Sequence, residues 1–372
     1  MLTVTTPASA IRIAGYFPSW GIHAMNYHVT DIPADQLTHV IYAFANVTAT
    51  ADCVSTNASD DQINLPLLAQ LKQQHPKLAT LISVGGASNS KNFPNAASNA
   101  ANQAHFAQSC VQFMKQNGFD GIDIDWEYPT AALKKNFTSL LAALRKQLDA
   151  QGVTDRKHYL LTIAAPAGAS NYANLDLSHL VIDLDWINLM TYDFTVVSSK
   201  TTDFVAPLRP YDPQASPKHA ASNVDAAVQA YLKNGVPANK IVVGTRFIGT
   251  GWRGVASGHK GLYQVNQGPA PGTWDAAGAA PTGEFGYQDL EQKYIGKFTR
   301  FFHQDAQVPW LFQQTAATMI SYEDPQSLIA KVNYVVSNKL GGVMIWNLAA
   351  DDRKHTLVKT LAGVLAPLPP GP

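Results

Sequence analysis

Three acidic residues at alternate positions form the pattern with the clearest chemical meaning. The segment 119–129 reads FDGIDIDWEYP, so Asp123, Asp125 and Glu127 lie two residues apart. On a β-strand, residues two apart point to the same face, which puts the acids in one row and the apolar residues between them in the other. The apolar row suits contact with covering helices, and the acidic row then faces the interior of a barrel.

A buried acidic row controls where protons are held. Like charges about 6 to 7 Å apart along a strand cannot all ionise freely once they are removed from water. A raised pKa would make Glu127, the last acid of the row, a general acid. Two other interpretations are a metal site, for which no further oxygen ligands or histidines recur nearby, and a solvated strand at the edge of a sheet. The edge strand fits poorly, because this run lies in the middle of a series of covered strands.

Short β-rich runs alternate with helical patterns along the chain, which is typical of βα units around a parallel sheet. The eight runs cover residues 11–17, 39–45, 79–85, 121–127, 159–165, 186–192, 241–245 and 342–347.

Helical spacing and start signals fill the intervals between the runs. Apolar residues recur at helical spacing before Gly118 and again over residues 133–148. The segment 222–225, SNVD, is interpreted as a capping box that opens a helix, and Asp324 followed by Pro325 predicts a further helix start.

Eight strands with intervening helices favour an α/β fold, a closed (β/α)8 TIM barrel, over an open doubly wound sheet. The first run is not followed by the Gly-x-Gly-x-x-Gly turn of dinucleotide-binding folds. The interval after the seventh run is too long for a βα loop and predicts a small α+β insertion over residues 251–321. The barrel would then comprise residues 11–250 and 322–366, and the proline-rich residues 367–372 would start a linker.

Composition excludes several classes of partner. The 372 residues contain 27 Lys and Arg against 27 Asp and Glu, so the net charge is zero and no nucleic acid or anionic membrane surface is expected as a partner. No run of about 18 apolar residues occurs, which argues against a membrane span. Cys53 and Cys110 allow one disulfide or none, and neither belongs to a Cys-x-x-Cys pair. We expect no metal, no cofactor and a monomeric protein.

The acidic row and several other segments resemble glycoside hydrolase family 18, the chitinases and their relatives. Residues 120–127 match the family signature Asp-Gly-x-Asp-x-Asp-x-Glu. The resemblance extends over residues 11–365, and the long interval after the seventh run coincides with the α+β insertion of bacterial and animal chitinases of the family. Further matching segments, in order, are 15–20 (GYFPSW), 42–44 (YAF), 83–86 (SVGG), 190–193 (MTYD) and Trp346.

The resemblance implies a retaining mechanism without a protein nucleophile. In this family the 2-acetamido oxygen of the substrate attacks the anomeric carbon, an exception to the usual pair of carboxylates. Glu127 is then expected to protonate the leaving oxygen and later to activate water. Asp125 is expected to stabilise the oxazolinium intermediate, Asp123 to share a proton with Asp125, and Tyr192 to donate a hydrogen bond to the acetamido group.

The remaining matches imply a sugar-binding pocket. Asp193 is expected to bind the sugar, and Trp346 to form the apolar floor beneath it. Tyr16, Phe44 and Met190 are expected to line the same pocket, although ordinary core packing is an alternative for each of them.

Three segments depart from the family pattern. Ala87 follows the Gly-Gly of the third run where many relatives have an aromatic residue, and 194–199 (FTVVSS), with Val196, replaces a segment that usually carries Trp. Residues 246–250 (RFIGT) stand where Pro-Phe-Tyr-Gly-Arg is usual. None of these changes touches the acidic row, so we expect intact chemistry and a weaker grip on long polymer.

The resemblance therefore predicts a chitinase that cuts β-1,4 links between N-acetylglucosamine units of chitin and chitooligosaccharides. The alternatives are an endo-β-N-acetylglucosaminidase acting on N-glycans, whose members generally lack the insertion, and a chitin-binding lectin, which commonly lacks the last acid of the row. An extracellular polymer as substrate implies secretion. The linker at 367–372 implies a further carbohydrate-binding module beyond it.

Overall fold

A closed barrel of parallel strands organises the molecule. The computed structural model describes residues 11–365, and the predicted linker at 367–372 lies outside them. Its strands are β1 (Arg12–Pro18), β2 (His39–Val47), β3 (Cys53–Ser55), β4 (Ala79–Gly85), β5 (Gly121–Asp125), β6 (Leu160–Pro166), β7 (Trp186–Met190), β8 (Ile241–Arg246), β9 (Ile248–Arg253), β10 (Glu284–Gly286), β11 (Thr299–His303), β12 (Val308–Gln313), β13 (Thr318–Ser321) and β14 (Gly342–Trp346).

Eight of these strands pair in parallel in the order β1-β2-β4-β5-β6-β7-β8-β14, and β14 pairs with β1 to close the ring. The predicted (β/α)8 barrel is confirmed. The helices are α1 (Gly21–Ala24), α2 (Ala58–Gln74), α3 (Phe93–Ala96), α4 (Ala100–Gln116), α5 (Lys134–Asp155), α6 (Ala169–Tyr172), α7 (Leu177–Asp183), α8 (Val224–Lys233), α9 (Tyr287–Asp289), α10 (Pro325–Ser337) and α11 (Thr356–Leu365).

Two predicted strands end two residues earlier than their sequence runs, and both differences concern the site. Strand β5 ends at Asp125, and the N–H of Glu127 donates to Ser90 Oγ at 2.9 Å instead of to a neighbouring strand. Strand β7 ends at Met190, two residues before Tyr192. Glu127 and Tyr192 therefore lie just beyond the strands, at the carboxyl-end mouth where barrel enzymes bind their substrates.

The alternation in β5 is the one that the sequence predicts. Ile122, Ile124 and Trp126 are buried in the core between barrel and helices, where the Trp126 ring stacks on Phe93 with centroids 5.2 Å apart. A separate apolar cluster lies inside the barrel, and its buried members are Ala14, Tyr16, Ile41, Ala43, Phe44, Leu81, Trp186, Val242 and Met344.

Most of the helix signals are confirmed. Helices α4 and α5 contain the two apolar stripes, and Asp324 caps α10 by accepting from the N–H of Ser327 at 3.1 Å. The capping box at 222–225 is wrong in detail. Asn223, not Ser222, caps α8, and its Oδ1 accepts from the N–H of Ala226 at 2.8 Å.

The insertion after β8 is built mainly from strands. A five-stranded antiparallel sheet in the order β10-β9-β13-β12-β11 begins at Ile248 and ends at Ser321, with short helical turns at 287–294. It has its own core, which Phe204 joins from the long segment after β7. The insertion therefore contacts both a barrel strand and a barrel loop near the mouth.

Two further sequence expectations concern cysteines and membranes. Cys53 and Cys110 are both buried with free thiols, and burial together with the neighbouring Cys53 raises the pKa of the Cys110 thiol. A disulfide between them stays a prediction. Over residues 11–365, no helix combines the length and apolar character that crossing a bilayer requires.

Candidate active site

Asp123 lies at the floor of the site, inside the barrel. Its side chain is completely buried, and Oδ2 accepts from the hydroxyls of Tyr16 at 2.8 Å and Ser83 at 2.7 Å. Oδ1 accepts from Thr162 Oγ1 at 2.6 Å and from Asn188 Nδ2 at 3.2 Å. Burial raises the pKa of Asp123, and the four hydrogen bonds, which favour the ionised form, oppose that rise. This carboxyl is held in place by four other strands.

Asp125 is buried just above Asp123 but lacks equivalent support. Only 4% of the residue is exposed, and its Oδ1 has no hydrogen-bond partner within the described part of the chain. Burial, followed by the neighbouring carboxyls of Glu127 and Asp123, raises its pKa well above the usual range. A buried oxygen without a partner is costly, so this atom is a natural acceptor for a bound ligand.

Glu127 is half-buried at the mouth. Burial is the largest cause of its raised pKa, Asp193 also raises it, and a hydrogen bond with Tyr128 lowers it. The carboxyls of Asp125 and Glu127 interact electrostatically and both have raised pKa values, so they titrate as a coupled pair. The pair therefore retains a proton to higher pH than a solvated glutamate would. A raised pKa favours the protonated form that a general acid needs, which suits Glu127 to that role.

Tyr192 and Asp193 follow β7, two strands along the barrel from β5. Burial, Asp193 and Asp125 together raise the pKa of the Tyr192 hydroxyl well above its usual value, so the hydroxyl stays protonated and can donate a hydrogen bond. Asp193 has φ of 56°, a left-handed conformation that aspartate tolerates better than most residues, and its side chain is half-exposed.

Arg246 connects this side of the mouth to the insertion. The residue ends β8 and is only 7% exposed. Its guanidinium donates to Thr250 Oγ1 at 2.9 Å and to Glu284 Oε1 at 2.6 Å, and it lies 3.4 Å from Asp193 Oδ1. One buried cation thus orients two half-exposed carboxylates, one from a barrel loop and one from strand β10.

Aromatic rings cover the remaining wall. Trp346 ends β14 and is half-buried, and its ring stacks on Phe44 with centroids 5.9 Å apart and contacts Tyr16 edge-on at 5.6 Å. Trp20 lies 6.4 Å from the same indole. The exposed part of such a surface suits the C–H face of a pyranose ring.

The carboxyls of Asp125 and Glu127, Tyr192, Asp193, Arg246 and the aromatic wall line one open cleft of about 870 Å³. The structure brings together the predicted residues Tyr16, Phe44, Asp125, Glu127, Met190, Tyr192, Asp193 and Trp346, and places Asp123 directly beneath them. The cleft can hold a sugar, protonate its leaving group at Glu127, and offer an acceptor at Asp125 and a donor at Tyr192. Among the described residues, no group of three or more His, Cys, Asp or Glu is arranged to hold a metal ion.

Sequence reasoning missed several functional neighbours. Arg246 belongs to the segment 246–250, which was noted only as a departure from the family pattern. Glu284 belongs to the insertion, in which no motif was recognised. Thr162 and Asn188, two partners of Asp123, gave no local signal because each lies on a different strand, and Ser83 was noted only as part of the matching segment 83–86.

Comparison with known proteins agrees with this geometry. The family model for glycosyl hydrolases family 18 matches residues 12–351. The sequence is 38% identical to chitinase A1 of Niallia circulans over 98% of this chain, and it spans 59% of that protein's length. The fold superposes on chitinase ChiA74 from Bacillus thuringiensis with a TM-score of 0.90 and 32% identity, covering 96% of this chain and 70% of that one.

A barrel of this topology with this row of acids defines a glycoside hydrolase. The chain belongs to glycosyl hydrolases family 18. The fold is also shared with human YKL-39, described as a pseudo-chitinase with retained chitooligosaccharide binding, at 26% identity and a TM-score of 0.88 over 96% of this chain and 100% of that one. Members of this fold therefore include both chitinases and a sugar-binding pseudo-enzyme.

Proposed function

We propose that this protein is a chitinase that hydrolyses β-1,4-linked N-acetylglucosamine with retention of configuration, by attack of the substrate's own acetamido group. The observation that carries the proposal is the arrangement of Asp125, Glu127 and Tyr192 around one cleft: a buried acceptor oxygen without a partner among the described residues, a carboxyl whose pKa is raised by burial, and a hydroxyl that can donate a hydrogen bond. The named chitinases among its relatives support the substrate class.

In the first step, Glu127 gives its proton to the glycosidic oxygen as the bond to the anomeric carbon breaks. The acetamido carbonyl oxygen of the same sugar forms the new bond to that carbon, and the positive charge spreads over the resulting oxazolinium ring. Asp125 accepts the acetamido N–H through its unpaired Oδ1 and offsets that charge, and the Tyr192 hydroxyl holds the acetamido oxygen in line.

In the second step, the ionised Glu127 accepts a proton from water, and the water oxygen attacks the anomeric carbon from the side of the departed leaving group. The oxazolinium ring opens, the acetamido group is restored, and Glu127 regains its proton. Two inversions at one carbon give net retention. Trp346 and Phe44 supply the apolar surface on which the sugar rests.

Glu127→Gln tests the acid. Because the amide cannot donate to the leaving oxygen or accept from water, kcat should fall at least 10² to 10⁴-fold on a labelled chitobioside. Glu291→Gln, at an exposed glutamate of the insertion outside the cleft, is the matched control and should retain activity. Wild-type turnover by Glu127→Gln protein would contradict the proposal.

The mechanism is tested separately by the products. Proton NMR of the first products of a chitohexaose digest should show the β-anomer in excess, before mutarotation. Fully deacetylated chitosan should not be cut, since it lacks the nucleophile. An initial excess of the α-anomer, or efficient chitosan cleavage, would leave a glycoside hydrolase but refute the acetamido mechanism.

Two alternatives give different results in the same assays. A lectin would bind chitooligosaccharides without releasing the label, and an N-glycan endoglycosidase would release glycans in preference to chitooligosaccharides. The presence of Glu127 and of the insertion favours the chitinase. An extracellular substrate also leads us to propose secretion, which detection of the protein in culture medium would test.

A further inference from the structure

A second cavity, of about 290 Å³, lies where the insertion meets the barrel mouth. Its walls come from the segment after β1, from the loop after β14 and from the insertion around β10. We propose that this cavity, the seam pocket, is an additional binding site for a neutral sugar unit of a chitin chain that extends beyond the catalytic cleft. This inference rests on the proposed function and names a longer substrate for the same site.

The seam pocket follows the catalytic cleft along three shared segments. After β1, Trp20 lines the cleft and Met25 and Asn26 line the pocket. On β10, Glu284 lines the cleft and Gly286 the pocket, which places them about 6 to 7 Å apart along the strand.

The loop after β14 is the third segment that lines both the cleft and the seam pocket. After β14, Trp346 lines the cleft and residues 349–353 line the pocket. The segments after β1 and β14 leave the barrel at the same mouth, and the ion pair between Glu284 of β10 and Arg246 of β8 holds the insertion against it, so one extended chain can pass from cleft to pocket.

An aromatic ring forms part of the pocket wall. Trp274 is half-buried, and its six-membered ring lies close to the backbone of β10 because residue 286 is glycine. A Cβ at position 286 would come within 2.9 Å of Trp274 Cζ2. The absence of a side chain there lets the indole occupy its place in the wall. Aromatic rings provide the flat apolar surface on which sugars stack.

The acids of the pocket are committed to other partners, which argues against a cation as the ligand. Asp289 pairs with Lys293 at 2.6 Å and accepts from Thr273 Oγ1 at 2.9 Å. Asp351 and Asp352 accept backbone N–H groups at the start of α11, and Asp31 accepts the N–H of His28 at 2.8 Å.

The two cations of the wall also have partners, since Lys293 pairs with Asp289 and Arg353 donates to the Asn26 carbonyl at 3.3 Å. Neutral hydrogen-bonding groups complete the lining. Asn26, Gln288 and Gln292 contribute amides, and His355 Nδ1 is a buried nitrogen without a hydrogen-bond partner among residues 11–365. An aromatic face beside amides and an imidazole suits an uncharged saccharide with both C–H faces and hydroxyls.

The test is calorimetric titration of the catalytically inactive Glu127→Gln protein with the trimer and the hexamer of N-acetylglucosamine. Adding Trp274→Ala should lower the affinity for the hexamer about tenfold, because one stacking contact is lost. The affinity for the trimer should not change, so the ratio of hexamer to trimer affinity should fall by the same factor. Gly286→Ala, which displaces the indole without removing it, should change the ratio in the same direction. Trp346→Ala is the matched tryptophan control and should weaken both oligomers alike.

Equal losses for trimer and hexamer in Trp274→Ala protein would overturn the seam pocket as a sugar site and leave Trp274 a structural residue. Failure of Glu127→Gln protein to bind either oligomer would contradict the proposed function itself. The two failures are therefore distinguishable, and unchanged thermal unfolding midpoints exclude a trivial loss of fold.

Discussion

Asp123 and Asp125 lie two residues apart on one strand, yet their carboxyl groups meet different surroundings. At the barrel floor, Asp123 accepts hydrogen bonds from Tyr16, Ser83 and Thr162 as well as from an amide. At the mouth, Asp125 has an oxygen with no partner in the described residues and a repelling neighbour in Glu127.

The difference shows that neighbouring positions of one strand have separate roles: Asp123 stabilises the structure of the site, and Asp125 is available to the substrate. A carboxyl that is already saturated with donors has little left to offer a ligand, but it fixes the position of everything above it. A carboxyl with a free acceptor is costly while the site is empty and gains its partner when substrate binds. Binding energy is thus concentrated at the mouth, where charge develops during the reaction.

The largest expected effect comes from exchanging an acid at the mouth. Asp125→Asn should lower kcat/KM on chitooligosaccharides about 10² to 10³-fold, because the positive intermediate loses its facing carboxylate. Steady-state kinetics on a labelled chitobioside measures it.

Asp123→Asn is the paired variant at the floor. Its amide cannot accept from all four donors, so one buried group is left unsatisfied and the free energy of unfolding should fall by about 1 to 3 kcal/mol. Denaturant unfolding of both proteins checks this. If Asp123→Asn were stable but inactive, and Asp125→Asn unstable but active, the division between floor and mouth would be wrong.

The donor at the mouth should matter less than the carboxylate. Tyr192→Phe removes one hydroxyl that stays protonated, and kcat should fall about 10 to 100-fold with little change in KM, the value of a hydrogen bond to a charged group. Pre-steady-state measurement separates chemistry from product release. A loss confined to KM would mean that Tyr192 only binds substrate.

The floor and the mouth also differ in how far sequence could predict them. The row of Asp123, Asp125 and Glu127 and the barrel around it follow from local alternation, which needs no knowledge of distant residues. The end of β5 could not be read in this way, since it depends on Ser90, a residue of another loop, capturing the N–H of Glu127.

The partners of the acids are the part that sequence left open. Thr162 and Asn188 are 39 and 65 residues from Asp123 along the chain and meet it only because the barrel closes. Arg246 is a similar case, since its contacts with Glu284 and Asp193 depend on how the insertion returns to the mouth. Long-range side-chain pairing of this kind has no signature in spacing.

Arg246 offers a smaller perturbation that leaves the acidic row intact. Arg246→Gln should raise KM about tenfold with a smaller effect on kcat, because each half-exposed ion pair contributes about 1 kcal/mol and both Glu284 and Asp193 lose their orientation. Arg253→Gln, at an exposed arginine on the neighbouring strand β9, is the matched control. Equal Michaelis constants for the two variants would show that the cation at the mouth is only structural.

The smallest expected effect is that of Asp125→Asn on stability: the substitution should lower activity but raise the free energy of unfolding. Asp125 and Glu127 have raised pKa values in the folded protein, so between their ordinary and raised pKa values the folded state binds more protons than the unfolded state. The free energy of unfolding therefore falls as pH rises through that window. Asp125→Asn removes one of the two charges, and the variant should gain about 1 kcal/mol near neutral pH and show a flatter pH dependence.

Urea unfolding of wild type and Asp125→Asn at several pH values between mildly acidic and mildly alkaline measures this difference. Asp305→Asn, at an exposed aspartate outside the cleft that forms no ion pair among the described residues, controls for the loss of a charge as such and should leave the slope unchanged. A stability gain that did not vary with pH would mean that Asp125 destabilises the folded protein through packing and not through its charge, which would contradict the prediction. A gain that grows with pH would mean that the proximity of the Asp125 and Glu127 carboxyls lowers the free energy of unfolding. The proposed reaction requires this proximity, because one of the two acids must be ionised and the other protonated when substrate binds.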